Sequence, residues 1–443
     1  MSFRSLLCAA VALCAFFPTL SHAQSFEDAL AAAYARNPGL EARRAALRAT
    51  DEGVNEALSG YRPDITATSA IGRSQQKIED GGLFAGSGTL SPRDVGVNIK
   101  QPLFKGFRTQ AAVSAAQAQV EAGRATLQQD EQALLFEAAQ SYYDVLESQS
   151  IVELTRANEK VLHQQVEATH SRFTAGEVTK TDISQSDARL SAATASRTRA
   201  EGTLANDRAT FMRLTGEAPV ALTPPALTLP LPENTDDALA QAEQNNPALI
   251  AARYGHTAAQ ADITKAQGAL LPEVNLEGRV GRAWDQDLMI PSRQDEATIM
   301  ARVTIPLYRT GADYARTRAA QQTTVQKRLE LEETRRMVRE SVLRSWQNLK
   351  TAQAAINAFE SEQKANELAL HGVQEESKVG TRTTLDVLNA RQELLTAQVN
   401  LVKARHDEVV ARLQLKAALG GLTPEALKLS IKAYDPAGPS ETK

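Results

Sequence analysis

Two short stretches hold the side chains best placed to do chemistry. Thr179 and Asp182 stand three residues apart, as do Thr383 and Asp386, and each pair follows a glycine, Gly176 or Gly380. That spacing is a capping box, in which hydroxyl and carboxylate satisfy free amides at a helix start. The glycines suit the left-handed residue that ends the preceding helix. An aspartate held this way can still face a pore, and Asp386 shares a helix face with Asn389. Spacing alone leaves both readings open, a cap or a cap that also lines a constriction.

Other reactive constellations are missing. His163 and His170 lie seven apart with no carboxylate or cysteine partner in the pattern, which reads as two solvated side chains. The sequence has no His-Glu-x-x-His, phosphate-binding P-loop, Gly-x-Gly-x-x-Gly or nucleophile elbow. No enzyme activity, cofactor or metal is expected.

The composition narrows the class further. Over 443 residues, 49 basic side chains meet 53 acidic ones. A net charge of -4 lacks the basic footprint of a nucleic-acid binder. Arg4, the apolar run Leu6 to Phe17 and Ser21-His22-Ala23 read as a secretory signal over residues 1–23. Both cysteines, Cys8 and Cys14, fall inside it. The exported chain therefore has no disulfide or thiolate metal site, and packing or assembly must stabilise it. No later run approaches the apolar length of a membrane-spanning helix.

The elements that position the two turns come as a repeat. A displacement of 209 pairs Asp28-Ala29-Leu30-Ala31 with Asp237-Ala238-Leu239-Ala240, Asn37-Pro38 with Asn246-Pro247, and Gly72 with Gly281. A displacement of 204 then pairs Pro102-Leu103 with Pro306-Leu307, Gly176 with Gly380, Asp182 with Asp386, and Gly216 with Gly420. The expected layout is a first repeat over 24–218, a Pro-rich connector over 219–234, a second repeat over 235–421 and a tail over 422–443. Five prolines between Pro219 and Pro232 forbid a continuous helix there.

Each repeat reads as helix, strand, loop, strand, very long helix, turn, returning helix. Val338, Val342, Ser345, Leu349, Ala352, Ile356 and Phe359 alternate steps of four and three, a coiled-coil seam. Leu134, Ala138, Ser141, Val145, Ser148 and Val152 keep that spacing with smaller side chains. Phe107 to Phe173 predicts a helix of about 100 Å. Ser25–Ser59 and Lys180–Leu214 each predict one helix of about half that length, so two short helices can stack beside the long one. Asp313–Lys378, Thr235–Ala269 and Thr383–Leu419 repeat the plan.

The strands alternate apolar and polar residues. Ile65 to Ile71, Val95 to Ile99, Val274 to Val280 and Ile299 to Ile305 carry the period of a transmembrane β-barrel, with Tyr61, Phe104 and Tyr308 at their helix-side ends. A soluble half-buried hairpin gives the same alternation. Gly81 to Gly88 reads as a mobile extracellular loop, with Trp284 and Asp285 in its second-repeat counterpart. Four strands cannot close a barrel, and lipid does not tolerate an open edge. Two copies would give eight strands and a filled interior, three copies twelve strands and a lumen.

The duplicated layout, the Asn-Pro of each first helix, the Pro-Leu-Phe and Pro-Leu-Tyr after the second and fourth strands, and the turns RFTAGEVTKTD (Arg172 to Asp182) and KVGTRTTLDVL (Lys378 to Leu388) resemble the TolC-like outer-membrane efflux proteins. The resemblance spans nearly all of the chain after the signal. It implies a mainly α fold with a transmembrane β-barrel: a homotrimer with a twelve-stranded barrel, four strands per chain, and a long α-helical coiled-coil barrel crossing the periplasm. It also implies the exit duct of type I secretion or multidrug efflux, opened on docking a periplasmic adaptor and an inner-membrane ABC or RND-type transporter. By the same resemblance, Arg382 bonds toward Thr181 and Asp182 to hold the tip shut, and Asp386 lines the constriction as an acidic ring. Gly176, Val178, Val379, Gly380 and Thr381 form the turns that meet the adaptor. Ser377 and Asn389 depart from the family's best-studied pattern, which has an aromatic and a second acidic residue there. The competing class is a periplasmic coiled-coil adaptor or scaffold, but adaptors carry one hairpin per chain and interrupt it with β domains.

Overall fold

The computed structural model describes residues 24–78, 86–225, 229–287, 293–431 and 433–436; the signal segment 1–23 lies outside them. In chain order the elements are α1 Phe26–Arg36, α2 Pro38–Ser59, β1 Asp64–Ile71, β2 Ser74–Ile78, β3 Gly86–Leu90, β4 Arg93–Lys105, α3 Arg108–Thr174 and α4 Lys180–Thr215. The second repeat follows with α5 Thr235–Asn245, α6 Pro247–Gly268, β5 Glu273–Trp284, β6 Arg293–Thr304, α7 Ala312–Lys378 and α8 Thr384–Ala418. Both long helices run 67 residues.

One expectation is corrected in both repeats. Ser25–Ser59 and Thr235–Ala269 are not single helices, because each breaks at its Asn-Pro. Proline lacks an amide donor and drives the residue before it out of helical geometry. Asn37 accordingly sits at φ -72°, ψ 118°, and Asn246 at φ -69°, ψ 121°. Each asparagine then caps the helix its proline starts. Asn37 Oδ1 accepts from the amides of Gly39 and Leu40 at 2.9 and 3.2 Å, and Asn246 Oδ1 from that of Ala248 at 3.1 Å. Their Nδ2 groups donate to the carbonyls of Leu214 and Ala418, at the ends of α4 and α8. The break thus ties each first helix to the end of its returning helix.

The middle of the expected seam is buried, while Leu134, Val338, Ile356 and Phe359 are half-buried. Ala138, Ser141, Val145, Ser148 and Val152 line the inside of α3, and Val342, Ser345, Leu349 and Ala352 that of α7. The main core lies midway along the long helices. Phe26, Tyr142, Tyr143 and Phe211 pack there with Leu222 and Leu229 of the connector and Leu422, Leu427 and Leu429 of the tail. Connector and tail therefore wrap the same belt. The Tyr142 hydroxyl donates to the Thr223 carbonyl at 2.8 Å, which fixes the connector to α3.

The four barrel strands form one antiparallel sheet in the order β1, β4, β5, β6. Its register sets Ile65, Ile99, Gly278 and Ile299 in one row and Ala67, Val97, Val280 and Ala297 in the next, so the apolar residues share a face. Polar Asn98, Glu277, Arg279 and Arg302 share the other. Both outer strands, β1 and β6, are exposed along their whole length. A ribbon of β2 and β3 extends beyond the β1–β4 hairpin. Residues 86–88 of the expected loop therefore belong to a strand, and 81–85 lie outside the described residues. Trp284 is likewise the last residue of β5 rather than part of a loop.

Candidate functional site: the helical tip

The tip turns repeat one geometry. At the end of α3 the Glu177 amide donates to the Arg172 carbonyl and that of Gly176 to Phe173, both at 2.9 Å. At the end of α7 Thr381 donates to Glu376 at 3.0 Å and Gly380 to Ser377 at 3.2 Å. This double closure needs a left-handed residue, and Gly176 and Gly380 supply it at φ 78° and 81°.

The returning helices start on the capping boxes expected from spacing. Asp182 Oδ2 accepts from the Thr179 amide and hydroxyl at 2.8 Å each. Asp386 Oδ2 accepts from those of Thr383 at 3.0 and 2.9 Å. The Thr backbone amide, and then its hydroxyl, hold both carboxyls below the usual aspartate range. Two anionic groups are thus fixed at the tip of each chain. Val178 is half-buried, whereas Thr181, Val379 and Thr381 are exposed.

Within one chain, Arg382 pairs inside its own turn. Its Nε donates to Glu376 Oε2 at 2.8 Å, and within that chain no bond to Thr181 or Asp182 is made. Glu376 is one turn before the closing glycine, so the same turn that positions Arg382 also supplies its partner. In the first repeat Arg172 and Glu177 form the corresponding local pair at 3.1 Å.

The hairpins meet just above the turns. Leu388 of α8 is buried against Leu162 of α3 and Ala193 of α4. Beside it Arg189 Nη2 donates to Asn389 Oδ1 at 2.8 Å, joining α4 to α8. Asn389 therefore has a partner in the other hairpin. Arg189 carries no local motif that would mark it.

A second tie lies further from the tip. His406 of α8 places Nε2 2.7 Å from Asp144 Oδ1 and Nδ1 3.2 Å from Glu147 Oε2, both on α3. Asp407 also approaches Nδ1 at 3.2 Å. Burial alone would lower the His406 pKa, but the three carboxylates outweigh it and push it up to about 9. His163 and His170, by contrast, are exposed. Each does face one carboxylate, Glu167 at 3.4 Å and Asp187 at 3.8 Å, which corrects the expectation of none. Among the described residues no group of three or more His, Cys, Asp or Glu is placed to hold a metal ion. Nor is any described helix long and apolar enough to cross a membrane.

The sequence profile of the outer membrane efflux proteins matches the chain twice, over residues 29–217 and 238–421. The chain belongs to the outer membrane efflux protein family. It is 36% identical over 413 residues to the outer membrane efflux protein BepC of Brucella suis, covering 93% of this chain and 89% of BepC. To the outer membrane protein TolC of Vibrio cholerae it is 28% identical, covering 88% of this chain and 89% of TolC. Among solved structures it resembles a membrane protein from Pseudomonas aeruginosa with a TM-score of 0.81 at 19% identity, covering 89% of this chain and 90% of that one. The family consists of outer-membrane channels rather than enzymes, with a helical portion in the periplasm. The adaptor reading is set aside by this membership.

Proposed function

We propose that three copies of this chain close into a twelve-stranded barrel and serve as the exit duct of a tripartite export system. The observation that carries this is the sheet's pair of open edges. In one chain the backbone groups on the outer sides of β1 and β6 have no partner strand, and both strands are exposed throughout. Lipid cannot satisfy those groups. Because four antiparallel strands alternate in direction, β6 of one copy can pair antiparallel with β1 of the next. Three copies give a lumen that continues into the α-helical bundle.

The periplasmic tip is the gate and docking end. Val379 and Thr381 are exposed on the α7–α8 turn and, with Gly176, Val178 and Gly380, offer a surface to a periplasmic adaptor coupled to an ABC or RND-type inner-membrane transporter. The cargo, protein or small toxic compound, is set by that pump. Between copies Arg382 leaves Glu376 to bond toward Thr181 and Asp182 of the neighbouring tip, and this holds the entrance closed. Asp386, fixed as an anion by Thr383, contributes one carboxylate per copy to a ring that attracts cations.

Conductance in a planar bilayer tests the gate. An Arg382→Ala channel conducts more than wild type on this reading; equal conductance would remove Arg382 from the gate.

A further inference from the structure

The apolar face of the sheet ends in a band of charge. Moving outward from the helices, its rows are Val274 with Val303, Leu276 with Ala301, Ile99 with Ile299, and Val97 with Val280. Two further rows complete the strands. In one, Ser69, Val95, Arg282 and Asp295 lie side by side; in the last, Ile71, Arg93, Trp284 and Arg293 do. Rows on one face are about 6.7 Å apart. These four rows, apolar apart from Gln101 beside Leu276, span about 20 Å along the strands and so fit within the ~25 Å apolar band of an outer-membrane barrel. The arginines start where that band stops, at the end away from the helices.

Among the described strand residues, arginine outnumbers carboxylate in this band. Two of the three guanidinium groups share one carboxylate. Arg293 reaches Asp295 at 2.8 Å, and Arg282 pairs with the same Asp295. Arg93 is exposed and has no carboxylate partner among the described residues. Of the strand acids, Asp94 and Glu296 alternate onto the opposite face, while Asp285 and Asp287 follow the end of β5 beside the band. On that polar face the arginines are matched, Arg279 by Glu296 and Arg302 by Glu277. Within the strands, the apolar face thus carries three arginines against one aspartate in these two rows.

A hollow of about 530 Å³ lies beside them, lined by Val95, Val97, Val280, Arg282, Trp284 and Asp295 with Glu296 at its edge. Its floor is apolar and its outer rim is a guanidinium 6.0 Å from the Trp284 ring. Such a site takes an acyl chain in the floor and an anionic headgroup at the rim. Guanidinium binds phosphate through paired charge-assisted hydrogen bonds.

We propose that Arg93, Arg282 and Arg293 form a binding site for the phosphorylated headgroup of an outer-leaflet glycolipid, which seats the extracellular rim of the barrel in the membrane. The site rests on the trimeric barrel reading, which turns this face toward lipid. Asp295 positions Arg282 and Arg293 between their two strands. Arg93 is free to meet the phosphate directly.

The test uses the full-length protein, purified as its trimer in detergent. It is titrated in native mass spectrometry with bisphosphorylated lipid A, with the same lipid stripped of its phosphates, and with inorganic phosphate alone. The wild type should prefer the bisphosphorylated lipid by at least about tenfold, given roughly 1 kcal/mol for each basic side chain at an anionic surface. Arg93→Gln should lose part of that preference and the R93Q/R282Q/R293Q variant nearly all of it. Arg279→Gln and Arg302→Gln, on the polar face, should keep it. Equal binding of both lipids, an unchanged preference in the triple variant, or equal occupancy by inorganic phosphate would overturn the site. Bilayer conductance of the same preparations separates the two readings. A conducting trimer without lipid preference sinks only the lipid site, whereas a monomer that does not conduct sinks the duct.

Discussion

Arg189 of α4 donates to Asn389 of α8 at 2.8 Å, so the returning helices of the two hairpins are tied directly beside the tip. Two residues 200 positions apart meet there, and Leu388 packs into the first hairpin next to them. The link is neutral on one side because Asn389 stands where a carboxylate would make it an ion pair.

Changing that one group should tune the gate. Asn389→Asp strengthens the link and Asn389→Ala removes it. An exposed pair of this kind contributes about 0.2–1 kcal/mol, up to roughly fivefold in an open-closed equilibrium. Single-channel recording should show longer closed times for Asn389→Asp and shorter ones for Asn389→Ala. Identical closed times in both would mean that the link does not report on opening.

The His406 tie carries a pH dependence with a defined sign. Its pKa is raised in the folded chain to about 9, against about 6.5 for a free histidine. Stabilisation by the charged ring is therefore complete below about pH 6.5 and is lost as pH rises through 9. It amounts to at most about 3 kcal/mol per chain. Melting temperature measured from pH 6.5 to 9.5 should fall in the wild type and stay nearly level in His406→Gln. Parallel curves would place the histidine outside the stabilising contacts.

Arg44 should be the most costly side chain to remove from the belt. It is buried between the rings of Tyr34 and Tyr434, 4.6 and 4.8 Å from their centroids, and faces Glu131 at 3.5 Å. Burial already raises the Glu131 pKa, so losing the cation leaves a half-buried acid without its counter-charge. Arg44→Ala should lower stability by about 3–5 kcal/mol and release the C-terminal tail. Limited proteolysis should then cut near Tyr434; protection equal to wild type would contradict this.

Asp386 offers a test of the acidic ring apart from its capping role. Asp386→Asn keeps a side chain able to accept from the Thr383 amide but removes the charge. Block by a trivalent cation added on the periplasmic side should weaken at least about tenfold, since each copy loses one carboxylate from the constriction. Unchanged block would assign Asp386 to capping only.

How much of this was legible in sequence depended on whether the relevant contact was local. The capping boxes at Thr179 and Thr383, the closing glycines and the seam from Leu134 to Val152 all lie within a few helical turns, and their spacing specified them. The Asn37-Pro38 break was equally local, yet matching the length of Ser25–Ser59 to half the long helix favoured one helix over the proline's missing donor. The β2–β3 ribbon escaped because Ser-Gln-Gln-Lys-Ile and Gly-Ser-Gly-Thr-Leu show no apolar alternation. His406 and Arg189 were illegible for a different reason: their partners lie 262 and 200 positions away, and only the docking of one hairpin on the other brings them together.

The central claim is that this chain works as a closed trimeric channel. The purified protein, run unheated and heated on a gel and then added to a planar bilayer, tests it most directly. A heat-modifiable trimer with stable, cation-preferring conductance is the predicted result. A monomer that stays in solution and leaves the bilayer silent would contradict it.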